Sequence, residues 1–217
     1  MKRCLIALLL GATAIQAQVP KPRTANPAQA AKPAASAVDI RTLHAFAGCM
    51  ADRYPTGVRR LLALDYRSRA YDHVLSTLAD EGSRCLPFAF GKLQSASVLM
   101  AGAFAEQLLP AALGGARLGE RVAHDPARPP VTARDEAEYL ALCTVRTMPD
   151  EVAALIATKP ASEDERLAVA AIRPRLGTCL RAGAAARLNA AGLRAVLALA
   201  AYRLASQPAA AARLVGS

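Results

Sequence analysis

Four of the five cysteines stand in two pairs of equal spacing. The separation between Cys49 and Cys85 equals that between Cys143 and Cys179, and a helix-like apolar segment follows each pair. Four cysteines allow three pairings, and equal spacing within repeated modules favours Cys49 with Cys85 and Cys143 with Cys179. The spacing therefore predicts two copies of one helical module, each closed by its own disulfide.

The offset that superimposes the two cysteine pairs also aligns residues that begin helices. Pro55 then matches Pro149, and Ser68 matches Ser162. Proline suits the first turn of a helix, and a serine side chain caps a helix by accepting a backbone N–H. Agreement at both kinds of position in one register predicts an internal duplication.

Apolar side chains recur at helical spacing through both modules. In the last helix, which Asn189 would cap, Leu193, Val196 and Leu197 share one face, and the other face is largely alanine. A helix without a polar face is expected to lie inside the fold. The sequence predicts an all-α fold of two tandem units with about four helices each, over residues 38–109 and 133–206.

The segments outside the two units have different compositions. Residues 1–17 resemble a signal peptide, because Lys2 and Arg3 precede a short apolar run and small Ala17 suits a cleavage site. The remaining segments are rich in proline, alanine or glycine. We interpret them as a disordered tether over residues 18–37, a linker over 110–132 and a flexible tail over 207–217.

Export would determine the state of the cysteines. Removal of the signal peptide takes away Cys4 and leaves an even number of cysteines in an oxidising compartment, which favours disulfides. A metal site is the alternative, but no Cys-x-x-Cys or neighbouring histidine supplies ligand spacing. We expect a periplasmic or secreted protein with no transmembrane span after signal removal.

The chain is strongly basic, with 27 Lys and Arg against 17 Asp and Glu and a formal net charge of +10. Such an excess favours an anionic partner, either a small ligand or an anionic polymer of the cell envelope. The candidate anion-binding residues are six arginines: Arg59, Arg60, Arg173, Arg175, Arg181 and Arg187. The alternative is that they extend into solvent, as arginines on short helices commonly do. Without interleaved aromatic residues, nucleic acid is not expected as a partner.

Neither the three histidines nor the acidic residues form a recognisable catalytic pattern. His44 and His73 fall on predicted helices, and His124 falls in the predicted linker. No nucleophile elbow, phosphate loop, dinucleotide fingerprint or zinc-protease motif occurs. We therefore expect a non-enzymatic protein without a cofactor or metal. An unfamiliar enzyme would require His44 or His73 in a pocket beside a carboxylate.

The chain combines an export signal, a proline- and alanine-rich spacer and two Cys-x35-Cys helical units. The second unit ends in LRAVLALAAYRL. Over about residues 38–206 the chain resembles small exported proteins of unknown function from sphingomonad-like alphaproteobacteria. The first unit differs, with LMAGAFAEQLL at the corresponding place. The resemblance implies export and a duplicated helical architecture, and it implies no activity.

Two hypotheses for function agree with these observations. The first is a non-enzymatic scaffold or interaction protein that binds another envelope protein through a surface formed where the two units meet. The second is a binder of small anionic ligands, or of an anionic envelope polymer, through the arginines of the two units. A structure separates them by showing whether the arginines of both units converge on one concave surface.

Overall fold

A computed structural model describes residues 36–85, 97–182 and 188–208. These residues form nine α-helices, and no strand occurs among them. The predicted all-α class is therefore confirmed. The first half contains α1 (Ala37–Arg53), α2 (Pro55–Ala63), α3 (Arg69–Glu81) and α4 (Ser97–Leu113); the second half contains α6 (Glu136–Thr147), α7 (Pro149–Ala157), α8 (Glu163–Ile172) and α9 (Ala190–Ala205); α5 (Leu118–Val122) lies between them.

The helices begin where capping residues and prolines predict. Ser68 accepts the backbone N–H of Tyr71 at the start of α3, and Asn189 accepts that of Gly192 at the start of α9. Pro55 and Pro149 both occupy the first turn of a short helix. Each of these residues satisfies or removes an N–H that has no partner inside the helix.

Ser162 followed by Glu165 is the sequence pattern of a capping box, and the start of α8 differs from that motif in one contact. Ser162 accepts the backbone N–H of Glu165, as expected. The Glu165 carboxylate, however, accepts the N–H of Ala161 instead of that of Ser162. Ala161 has a φ of 55°, so its backbone is in the left-handed region. This turn carries the Ala161 N–H to the carboxylate.

Both predicted disulfides are present, one in each half. Cys49 on α1 is bonded to Cys85 in a 3-10 turn after α3, with a sequence separation of 36 and a Cα–Cα distance of 5.7 Å. Cys143 on α6 is bonded to Cys179 in the 3-10 turn that follows α8, again with a separation of 36. Both halves also present their elements in one order, as a duplication requires; the duplication itself stays a prediction.

Helices α4 and α9 form the centre of the molecule. Every residue of α9 from Gly192 to Tyr202 is buried, which confirms its predicted central position. The two helices approach closely at Gly102, where an added Cβ would lie 2.4 Å from Ala195 Cα. Since one helix comes from each half, the two halves share a single hydrophobic core within the compact unit Ala35–Ser217.

The segment predicted as a linker, residues 110–132, has more structure than expected. Helix α4 continues through Pro110 to Leu113, and α5 forms a further turn whose Leu118 and Val122 are buried. Pro110 is exposed, so the distortion that a proline causes falls on the solvent side of the helix. Burial of neighbouring leucines therefore outweighs the helix-breaking tendency of proline and glycine in this segment.

Within the described ranges, no helix combines the length and apolar character needed to cross a membrane.

Candidate anion-binding site

A basic cleft of about 300 Å³ lies where α2, the segment before α6 and the C-terminal part of α9 meet. We call it the interhalf cleft, because its walls come from both halves. Three arginines line it, namely Arg59 from the first half and Arg134 and Arg203 from the second. The remaining lining residues are Leu62, Ala63, Pro130, Val131, Thr132, Tyr202 and Ser206.

One buried carboxylate holds two of these arginines. Glu138 on α6 is 1% exposed, and its Oε2 accepts hydrogen bonds from Arg203 Nη1 at 2.8 Å and from the backbone N–H of Arg134 at 2.8 Å. The Arg134 guanidinium lies 3.5 Å from the other carboxylate oxygen. Glu138 thus contacts two guanidinium groups, and the more distant Asp65 carboxylate also acts on both arginines.

Burial is the main influence on the pKa of Arg203. Burial lowers this pKa, the Glu138 and Asp65 carboxylates oppose the shift, and the nearby Arg134 guanidinium adds to it. Arg203 also donates a hydrogen bond to the Thr132 carbonyl at 3.1 Å. A guanidinium stays protonated in proteins, so the lowered pKa measures the cost of keeping this charge away from water. An anion in the cleft would offset that cost.

Arg59 supplies the third positive charge from the opposite wall. It is exposed on α2 and makes no ion pair with any residue in the described part of the chain. Burial raises the pKa of Tyr202, and the charge of Arg59 opposes this rise, which places Arg59 near the phenol. Arg59 therefore brings an exposed guanidinium to the cleft.

The α2–α3 loop fixes the two halves to each other beside the cleft. Arg67 binds Asp65 at 2.8 Å, lies 3.4 Å from Asp135, and donates a hydrogen bond to the Arg134 carbonyl at 2.8 Å. The hydrogen bond from Arg67 lowers the pKa of Asp65 to about 2. Tyr66 completes the contact by donating to Asp135 at 2.7 Å. Arg134 is thereby held in place from its backbone.

Of the six arginines predicted from the sequence, one lines the interhalf cleft. Arg59 lies there, whereas Arg60 is exposed on the same helix and is not part of the lining. Arg175 forms an ion pair with Glu151. Arg173 donates to the Leu188 carbonyl at 3.1 Å. Arg187 lies outside the described residues.

Arg181 also contacts residues of its own half. Its guanidinium lies 3.9 Å from the centre of the Tyr139 ring and 3.5 Å from Glu136 on α6. The predicted arginines near the second disulfide therefore contact acidic, carbonyl and aromatic groups of their own half. The sequence pattern did not identify Arg134 and Arg203; for Arg203 the available signal was that α9 is apolar apart from two arginines, Arg194 and Arg203.

A second charged cluster lies inside the fold, between α4, α9 and the end of α7. Arg194 is 2% exposed and binds Glu106 through two hydrogen bonds, of 2.7 and 2.9 Å. It also donates to the carbonyls of Leu155, Ile156 and Thr158, where α7 ends. The guanidinium thus serves as a buried C-terminal cap for α7.

His44 lies at the edge of this cluster. Its Nδ1 is 3.5 Å from Glu106 Oε2, beside a small cavity that is otherwise lined by apolar side chains and Arg194. Burial, with a smaller effect of the Arg194 charge, lowers the pKa of His44 to about 4. His44 therefore meets the condition given above for an unfamiliar enzyme, a pocket beside a carboxylate. The same carboxylate is, however, bound to Arg194, as in a structural ion pair. His73 is exposed on α3.

Among the residues that the structure describes, no three His, Cys, Asp or Glu side chains group in a way that suits a metal ion. No protein-family model, curated protein or solved structure matches the chain.

Proposed function

We propose that this protein is exported and non-enzymatic and that it binds an anionic group in the interhalf cleft. The observation that carries the proposal is the convergence of Arg59, Arg134 and Arg203 in the lining of one cleft, where the buried Glu138 carboxylate contacts only Arg134 and Arg203. Guanidinium groups present several N–H donors in a planar fork that matches carboxylate and phosphate groups. The cleft therefore offers both charge and hydrogen bonds to such a ligand.

Export is supported by the basic, apolar N-terminus and by the two disulfides. Disulfides of this kind form and persist in oxidising compartments. An anionic component of the cell envelope is then the class of ligand that the cleft would meet.

An apolar interface with another envelope protein is the second candidate, and the surface favours it less. Among the described residues, the exposed large apolar side chains are Val38, Tyr139 and Leu167, on three different helices. Arg181 covers the Tyr139 ring. Obligate protein interfaces usually bury contiguous apolar patches, whereas these three exposed side chains belong to different helices.

The proposal is tested by the pair of variants Arg59→Gln and Arg60→Gln. Both arginines are exposed on α2, and Arg59 alone lines the cleft. We expect calorimetry with sulfate, phosphate and citrate to detect binding to the wild type. Arg59→Gln should weaken it about tenfold, the value of one charge-assisted hydrogen bond, and Arg60→Gln should leave it unchanged. Absence of binding to the wild type, or equal losses in both variants, would contradict the proposal.

A further inference from the structure

A second basic cleft, of about 350 Å³, lies on the other side of the same end of α9. We call it the proline cleft, because Pro126, Pro129 and Pro130 line it. Its charged lining residues are Arg121, Arg128, Arg146, His124 and Asp125. Pro130 lines both clefts, so the two clefts are adjacent.

The arginines of the proline cleft are held in defined positions. Arg121 donates to the Ala205 carbonyl at 2.8 Å and so caps the C-terminus of α9. Arg128 donates to the Arg121 carbonyl at 2.9 Å, and its Nε lies 3.2 Å from Asp125. Arg146 is exposed on α6 and has no ion pair within the described ranges. The cleft therefore has a fixed basic floor and one unpaired arginine at its rim.

The positive charge of the folded part is concentrated in these two clefts. All 17 acidic residues lie in the described ranges, together with all but eight of the 27 Lys and Arg, so the described part has a formal charge of only +2. Each cleft contains three arginines and one carboxylate, Glu138 beneath the first and Asp125 in the second. The clefts together hold an excess of four positive charges, and the remaining described surface is net negative.

Two neighbouring carboxylates reduce this excess. Asp65 and Asp135 lie outside the lining of the interhalf cleft. Both contact Arg67, and Asp135 also accepts a hydrogen bond from Tyr66. The charge of Asp65 also acts on Arg134 and Arg203. Since Arg67 offsets only one of the two carboxylates, the excess around the interhalf cleft is one positive charge, and the two clefts together keep a positive excess.

We propose that one anionic glycan chain passes over Pro130, which both clefts share, and occupies both clefts at once. This inference rests on the proposed function and names its ligand class. A small anion fills one cleft, whereas a chain with charges at intervals satisfies both. Neutral side chains that can form hydrogen bonds lie among the arginines, namely Thr132, Tyr202, Ser206 and Gln207. They suit the hydroxyl groups that stand between the charges of a glycan. Nucleic acid would require aromatic stacking platforms, and among the described residues Tyr202 is the one Phe, Tyr or Trp in either lining.

The test compares sulfated oligosaccharides of four and twelve sugars with free sulfate, using the wild type, Arg59→Gln, Arg146→Gln and the double variant. Both arginines are exposed and make no ion pair in the described part of the chain, so thermal unfolding should not change. We expect the longer chain to bind the wild type at least tenfold more tightly than the shorter one. Each single variant should weaken the longer chain about tenfold and reduce the slope of log Kd against log salt by about one.

Free sulfate separates this inference from the proposed function. Arg59→Gln should weaken sulfate binding in the interhalf cleft, and Arg146→Gln should leave that binding unchanged. Equal affinity for the two chain lengths, or no effect of Arg146→Gln on the longer one, would overturn the two-cleft inference while the interhalf site stands. An oligonucleotide of equal charge that binds as tightly as the glycan would overturn the glycan assignment. Failure of all anions to bind would remove both proposals.

Discussion

At the scale of single residues, buried charge is the most consequential feature of this protein. Arg194 binds Glu106 and three carbonyl groups at the end of α7 while only 2% exposed. The sequence placed it on the central helix but gave no sign of its partners, because Glu106 is 88 positions away. Hydrophobic periodicity predicts which face of a helix is buried. It cannot predict which charged side chains from distant parts of the sequence contact each other in the core.

Replacement of Arg194 should therefore be costly. In Arg194→Met the Glu106 carboxylate and the α7 carbonyls lose their donor while they remain buried, and we expect a loss of about 3–5 kcal/mol in the free energy of unfolding. Urea denaturation measures it. Arg166→Met is the control, since its ion pair with Glu163 is exposed and should contribute nothing measurable. A loss below about 1 kcal/mol in Arg194→Met would show that the cluster does not stabilise the fold.

His44 should make the stability dependent on pH. The folded protein keeps His44 neutral down to about pH 4, because burial and the Arg194 charge lower its pKa, whereas the unfolded chain binds a proton near pH 6.5. The contribution is thus complete above pH 6.5 and lost as the pH falls toward 4. Between pH 7 and 5 we expect the wild type to lose about 2 kcal/mol more than His44→Gln in urea denaturation.

The comparison of these two proteins isolates His44 from its neighbour. Burial raises the pKa of Glu106, and Glu106 is present in both proteins, so its effect is largely removed from the difference. His73→Gln serves as a control because His73 is exposed. An identical pH dependence of the wild type and His44→Gln would mean that His44 is not held neutral in the fold.

At the scale of elements, capping residues and prolines predicted where helices start, but composition did not predict the helical structure within residues 110–132. Caps at Ser68, Ser162 and Asn189 and prolines in first turns act within a few residues, so a sequence shows them directly. Continuation of α4 through Pro110 and formation of α5 depend on burial of Leu118 and Val122 by distant parts of the chain. That burial depends on tertiary packing, so the proline and glycine content of the segment led to the prediction of an unstructured linker.

The contact between α4 and α9 can be tested with a glycine pair. In Gly102→Ala the new Cβ would meet backbone atoms of Ala195 at 2.4–2.7 Å, so we expect a loss of about 1–3 kcal/mol despite the higher helix propensity of alanine. In Gly48→Ala on α1 the nearest atom lies at 3.5 Å, and we expect a gain of up to about 1 kcal/mol. Thermal and urea unfolding measure both, and equal effects would contradict the close packing of α4 on α9.

At the scale of the whole molecule, the cysteine spacing predicted the covalent framework, but it could not show that the halves share one core. Each disulfide joins elements of one half, while α4 and α9 join the halves to each other. The predicted arginine set missed the interhalf cleft for the same reason. Arg134 and Arg203 meet Arg59 only after the two halves have packed together.

Because the core is shared, loss of either disulfide should destabilise the whole molecule. Two double variants each remove one cross-link over 36 residues: Cys49→Ala with Cys85→Ala, and Cys143→Ala with Cys179→Ala. We expect each double variant to lower the free energy of unfolding by about 3–4 kcal/mol. Calorimetry should show a single transition in both variants. Two separate transitions in either one would indicate that the halves unfold independently.

The anion site between the halves is tested most directly by diffraction from crystals soaked in selenate, a tetrahedral oxyanion with an anomalous signal. Our account predicts an anomalous peak in the interhalf cleft, within hydrogen-bonding distance of Arg59 and Arg203, that is absent from crystals of Arg59→Gln. An empty interhalf cleft in crystals that hold selenate elsewhere on the protein would contradict it.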